Sequence, residues 1–289
     1  MENFSEAGAL LNGAYDLHVH SSPSHFPRAL NDMELIKNAD EFGFGGVLMK
    51  NHYESTAGRA ALINDSRLFK TRALGGLVLN HSAGGLNPYA AESALLLGAA
   101  IIWMPTRDAL HITSAGGSAG DFIHGEGIRA TDENGRLKSE IFDLFDAVRS
   151  AGAALATGHL SPAESVLLCN AGVEAGVTML LTHPDWTRTQ MDVDTQAMLA
   201  GRGVIIEKCW NNVTEKFTVA HTRASIEKIG PEHCILTTDR GQAGKELPGA
   251  AMEAFVEELL KLGIEESSVS RMIIENPRRI VSALRWLSD

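Results

Sequence analysis

Four histidines and an aspartate close short apolar runs: Asp16-Leu17-His18-Val19-His20, Thr157-Gly158-His159, Leu181-Thr182-His183-Pro184 and Leu236-Thr237-Thr238-Asp239. Residues two apart in a strand face the same side, so His18 and His20 can reach one point from a single strand end. Neutral imidazole and carboxylate are the usual ligands of a catalytic divalent ion that keeps one position open for water. Such an ion lowers the pKa of that water toward roughly 7, and a carboxylate within hydrogen-bond reach can take the proton. The residue types therefore point to metal-assisted hydrolysis, provided the chain brings the four segments together.

The elements that would do so follow from the hydrophobic pattern. Eight short apolar runs fall at 15–19, 46–49, 73–79, 100–104, 153–157, 178–182, 204–207 and 234–238. Helical patterns lie at 33–42, 89–97, 139–150, 163–171, 195–200, 222–229, 250–262 and 265–287. Gly43, Gly98, Gly152, Gly176 and Gly230 stand where a helix would end before the next strand, and glycine tolerates the left-handed conformation at that position. Strands alternating with helices read as parallel βαβ units. Eight is the closing number of a (β/α)8 TIM barrel, expected here as a single domain over residues 1–289. A doubly wound open sheet is the rival. Its first turn would carry GxGxxG, which is absent, and it would spread the ligand-bearing ends along an edge. The connection 105–138 breaks the rhythm at roughly 30 residues, a length that is usually functional. It contains His111, Ser114, Gly116, Gly117, His124 and Arg129, and is a candidate lid.

Composition narrows the partners. The chain has 289 residues, is 44% hydrophobic and carries a net charge of −11, with a pI of about 5.5. That balance argues against nucleic acid or an anionic membrane, and leaves a small-molecule substrate as the expectation. The three cysteines, Cys169, Cys209 and Cys234, form no CxxC pattern and suit a reducing cytosol better than a disulfide framework. MENFSEAGAL lacks the basic start of a signal peptide, and no apolar run approaches the roughly 20 residues of a membrane span. A cytoplasmic location is expected.

The constellation resembles the amidohydrolase superfamily of metal-dependent hydrolases: HxH after the first strand, His after the fifth and sixth, Asp after the eighth. The resemblance runs from His18 to Asp239. It implies that His18 and His20 bind the first metal and that His159 is a further ligand. His183 would bind a second metal or hydrogen-bond the attacking water. Asp239 would contact the metal and shuttle the proton to the leaving group. The activity implied is hydrolysis of an amide, a cyclic amide among them, or of a lactone or ester, in an uncharacterised branch without a legible substrate. One or two divalent ions are expected, zinc first, with Mn, Fe or Co as alternatives.

One departure matters. Binuclear members resembling phosphotriesterase or dihydroorotase place a carboxylated lysine at the end of strand four, where this chain has Trp103-Met104-Pro105-Thr106. Either the site holds one metal, as in members resembling adenosine deaminase, or the bridge comes from another strand. Lys50, closing Val47-Leu48-Met49-Lys50, is the candidate for a carboxylated bridge. Uncarboxylated, it could stabilise a substrate anion or act as an acid or base.

Other strand ends supply substrate-contact candidates: His52, Asn80, His81 and Arg240. Asn87 before Pro88 reads instead as a helix cap. Arg240 could fork onto a carboxylate or phosphate, or point outward into a salt bridge. Glu207 is either an additional ligand or the partner of Lys208. Trp103, Trp186 and Trp210 could wall a pocket or sit in the core. Two other functions stay open. Asp16-Leu17-His18-Val19-His20-Ser21 also resembles the opening of polymerase-and-histidinol-phosphatase phosphoesterases, although Asp239-Arg240-Gly241 lacks their closing histidine. A non-catalytic ligand-binding barrel is the third. Barrels of this type often pair, which leaves a homo-oligomer as an expectation.

Overall fold

The computed structural model describes residues 5–116, 126–214 and 216–284. Eight strands pair in parallel, in chain order: β1 (Tyr15–Val19), β2 (Gly46–Met49), β3 (Arg72–Val78), β4 (Ala99–Trp103), β5 (Ala154–Ala156), β6 (Thr178–Leu181), β7 (Ile205–Cys209) and β8 (Cys234–Thr237). β8 returns to β1: the Asp239 amide donates to His18 O at 2.9 Å and the His20 amide to Arg240 O at 2.8 Å. The buried Asp16 carboxyl reinforces that seam by accepting from the Thr238 amide at 3.2 Å and its hydroxyl at 2.5 Å. The architecture is a (β/α)8 barrel, as the alternation predicts. The strands are buried on both faces, which is why they read as continuous apolar runs rather than alternating ones.

The α-helices of the described residues are α1 (Glu6–Leu10), α2 (Asp32–Glu41), α3 (Ala57–Ser66), α4 (Pro88–Leu96), α5 (Leu110–Thr113), α6 (Ser139–Ala151), α7 (Pro162–Glu174), α8 (Val193–Gly201), α9 (Val219–Ile229), α10 (Pro248–Lys261), α11 (Glu266–Ser270) and α12 (Asn276–Ser282). Their starts are set locally. Asn31 with Glu34, and Ser161 with Glu164, form reciprocal caps. Asn87 caps α4 with Pro88 behind it, as expected. The five glycines before strands all have positive φ. α3 escapes the sequence pattern because AGRAALINDS has a weak apolar face and no side-chain cap. The expected helix over 265–287 is divided by a π turn, Arg271–Glu275, just before Pro277, which has no amide hydrogen to donate. Residues 285–287 lie outside the described residues. So do Gly117 and His124 of the 105–138 connection. Its described flanks are built: Ala109 pairs with Ile128, and Thr131 with Leu137. Among the described residues no helix is long and apolar enough to cross a membrane.

Two glycines admit the site's neighbours. A Cβ on Gly76 would meet the Trp103 ring at 2.5 Å, so glycine there lets Trp103 lie inside the barrel beneath Lys50. A Cβ on Gly241 would meet His20 O at 1.7 Å, so glycine lets the chain after Asp239 pass against β1.

Candidate active site

The carbonyl ends of the strands open onto a cavity of about 300 Å³ whose floor holds His18, His20, Lys50, His52, His159, His183 and Asp239. Asp239 Oδ1 lies 3.0 Å from His20 Nε2 and 3.4 Å from His18 Nε2. These three residues offer ligand atoms within 4.8 Å of one another. Each imidazole is aimed from behind. His18 Nδ1 is 2.8 Å from Glu207 Oε1, and His20 Nδ1 donates to Lys50 O at 2.9 Å. A hydrogen on Nδ1 leaves the Nε2 lone pair facing Asp239, the tautomer that a metal needs.

Burial sets the electrostatics. It pushes His20 down to about 3 and His183 down to about 4. It also holds His52 and His159 well below the usual imidazole range, with neighbouring cations adding to the effect. Burial would raise the Asp239 carboxyl, yet the His18, His20 and His183 rings hold it well below the usual carboxylate range. Burial would likewise raise Glu207, and His18, His183 and Lys50 together hold it down to about 2. The imidazole of His20, kept neutral beside the ionised Asp239, suits a divalent cation, and so do imidazole and carboxylate as donor types.

His159 and His183 line the same cavity, with ring centroids 5.1 Å apart, but stand outside the tight group of three. The buried Nδ1 of each has no hydrogen-bond partner among the described residues. His183 and Asp239 have positive φ, 25° and 48°, which is strained for residues with a side chain. The strained segments are pinned: Glu207 Oε2 accepts from the His183 amide at 2.8 Å, and the Asp239 amide is bound to His18 O. Lys50 is buried with Nζ 3.0 Å from His18 Nε2 and 5.1 Å from the Trp103 ring centre. Burial pushes it down to about 8.

The substrate-contact candidates separate. His52 lines the cavity, stacked on His20 at 4.9 Å. Asn80, His81 and Arg240 do not line it. Asn80 is fully buried and ties the loop after β4: it donates to Thr106 Oγ1 and accepts from the Thr106 and Asp108 amides. The His81 ring is turned to Glu126 O at 3.2 Å. Arg240 is held by Glu246 at 2.6 Å and Asn211 at 2.6 Å, which is the outward salt-bridge alternative. Asn211 in turn donates to Asp239 Oδ2 at 3.2 Å.

Glu207 does not pair with Lys208, and it stands outside the tight group of His18, His20 and Asp239. Its partners are His18, His183 and Thr237, whose hydroxyl donates at 2.9 Å. Lys208 faces the helices and binds Asp185, Gln196 and Ser225 at 2.8, 2.7 and 2.6 Å. The opposite facing of consecutive strand residues was the signal that separates the two. Trp186 walls the cavity beside His159, Trp103 is buried beneath it, and Trp210 packs on Phe255 away from it. Sequence reasoning missed Arg28, Arg107 and Gln242, on loops, and Asn212, on the 3-10 turn Trp210–Asn212 after β7, all of which line the cavity.

Residues 13–207 match the model of a family of unknown function (DUF6282). No curated protein gives a significant match. Among solved structures, an amidohydrolase from Pseudomonas aeruginosa superposes with a TM-score of 0.67 at 12% identity, covering 96% of this chain and 98% of that one. A probable 2-pyrone-4,6-dicarboxylic acid hydrolase from Acinetobacter baumannii gives 0.63 at 12%, covering 93% and 99%. An organophosphorus hydrolase from Deinococcus radiodurans gives 0.57 at 14%, covering 96% and 94%. At such identities the likeness establishes a shared barrel fold over nearly the whole chain.

Proposed function

The chain belongs to the DUF6282 family, whose function is unknown, and we propose that it is a metal-dependent hydrolase that directs water onto the carbonyl of a small amide, cyclic amide, lactone or ester. The observation that carries this reading is the convergence of His18, His20 and Asp239 on one point at the mouth of the barrel. The hydrolase names of the structurally similar proteins support it.

His18, His20 and Asp239 would hold one divalent ion, with zinc the first expectation and Mn, Fe or Co as alternatives. When bound, such an ion lowers the pKa of water and polarises a carbonyl. The chain's own residues do the rest. Asp239, kept ionised, accepts the proton of the attacking water and returns it to the leaving group. His159 and His183, kept neutral, face the same cavity and hydrogen-bond the water or the carbonyl oxygen as negative charge develops there. Lys50 stands beside His18. Unmodified, it is a proton donor to the reacting oxygen; carboxylated, it would bridge two ions.

The test is metal content per chain, by elemental mass spectrometry on protein purified without chelator, combined with turnover on a panel of lactones, esters and cyclic amides. Content near one, with loss of both metal and turnover in His18→Ala and Asp239→Ala at unchanged circular dichroism, is expected. Metal-supplemented protein that still contains none would overturn the reading and leave a ligand-binding barrel.

A further inference from the structure

The hydrolytic residues occupy the floor of the cavity, and its outer wall has a different character. The chain carries a net charge of −11, yet among the described residues that line the cavity Arg28, Arg107 and Lys50 stand against one carboxylate, Asp239. The two arginines come from different strand ends and meet on one aromatic ring. Their guanidinium carbons lie 5.8 Å and 4.4 Å from the centre of Phe26. Like charges gathered in a partly buried wall repel one another, and an arriving anion relieves that repulsion.

Both positions are built into the fold. Arg28 pairs in antiparallel fashion with Gln242, and the next amide, Ala29, donates to Gly241 O at 2.9 Å, so the loop after β1 is bound to the loop after β8. Arg107 stands between Thr106 and Asp108, whose amides both donate to the buried Asn80 at 2.8 and 3.2 Å. Among the described residues no carboxylate lies within 4 Å of the Arg28 side chain, whose Nε reaches Ser24 Oγ at 3.3 Å. A further polar residue contributes to the same lining. Asn212 lines the cavity, is 6% exposed, and its Nδ2 has no hydrogen-bond partner among the described residues. A buried amide donor without a partner is costly unless a ligand supplies the acceptor.

We infer that the substrate carries an oxyanion substituent, a carboxylate or a phosphate, that docks on Arg28, Arg107 and Asn212 Nδ2 while its reacting carbonyl faces Asp239. The guanidinium fork matches the paired oxygens of either group. This rests on the reading of the cavity as a hydrolase site. It also assigns the anion-anchoring role to Arg28 and Arg107, which line the cavity, where Arg240 does not.

The experiment is calorimetric titration of the metal-loaded protein with succinate and, separately, with inorganic phosphate, repeated on Arg28→Gln, Arg107→Gln and Asn212→Ala. Each variant is first checked for an unchanged melting temperature and metal content. Binding that weakens about tenfold or more in each arginine variant is expected. The tighter of the two anions identifies the oxyanion. Equal affinity in wild type and both arginine variants, which is the result if the anion simply sits on the metal, overturns the inference. So does an absence of binding by either anion. The two readings fail separately. Hydrolysis of neutral lactones by a protein that binds neither anion removes the oxyanion site and keeps the hydrolase. Arginine-dependent anion binding without turnover on carboxylated or neutral substrates does the reverse.

Discussion

Glu207 Oε1 lies 2.8 Å from His18 Nδ1, a contact between β7 and β1 across the inside of the barrel. The same carboxylate holds the His183 amide and the Thr237 hydroxyl, so one buried anion orients an expected ligand, a strained backbone and a neighbouring strand. A carboxylate behind a ligating histidine fixes its tautomer and raises its basicity.

Glu207→Ala should therefore weaken metal affinity by about 10- to 100-fold while His20 and Asp239 stay in place. Competition against a chromogenic chelator measures this directly. Wild-type affinity in the variant would reduce Glu207 to a structural role.

Lys50 separates a bridged from an unbridged site. Its side chain approaches His18 Nε2, but the tight ligand group comprises His18, His20 and Asp239. Lys50→Met should keep about one ion per chain and lose turnover by a factor on the order of 10². If wild type holds two ions and the variant one, Lys50 is the carboxylated bridge. Intact-protein mass would then show the added carbon dioxide.

Lys208 tests the opposite face of β7. Its ammonium is fully buried and paired with Asp185. Lys208→Ala strands that carboxylate and should cost about 3–5 kcal/mol of stability in urea unfolding. Metal content should not change, because none of the Lys208 partners faces the cavity.

The cysteines give the pH dependence. Cys169, Cys209 and Cys234 are buried and free, and burial pushes the Cys169 and Cys234 thiols up to about 12. A thiol that titrates higher in the folded chain favours folding fully below its ordinary value near 9. That contribution is lost as pH rises from 9 through about 12. Stability should be insensitive to these groups at pH 8 and decline in alkali. In native protein at pH 8 an alkylating reagent should label none of the three, and all three in denaturant. Rapid native labelling would show that the barrel opens.

Local pattern carried much of this molecule. The eight strands, the helix-ending glycines and the Asn87 cap are legible because each depends on contiguous residues. The same holds for the positions of His18, His20, His159, His183 and Asp239 at strand ends, since strand period and boundary are short-range properties. What the residues touch was not legible. Glu207 and Lys208 are adjacent in sequence, yet one turns to His18 and the other to Asp185. Arg28 and Arg107 meet on Phe26 only because loops after β1 and β4 fold over the same opening. Asn80 and Arg240, plausible substrate contacts by type and place, are instead taken up by Thr106, Asp108 and Glu246. Periodicity tells on which strand a side chain stands. Its partner is decided by strand register and ring closure, which join residues as far apart as Asp16 and Thr238, and only the closed barrel fixes those.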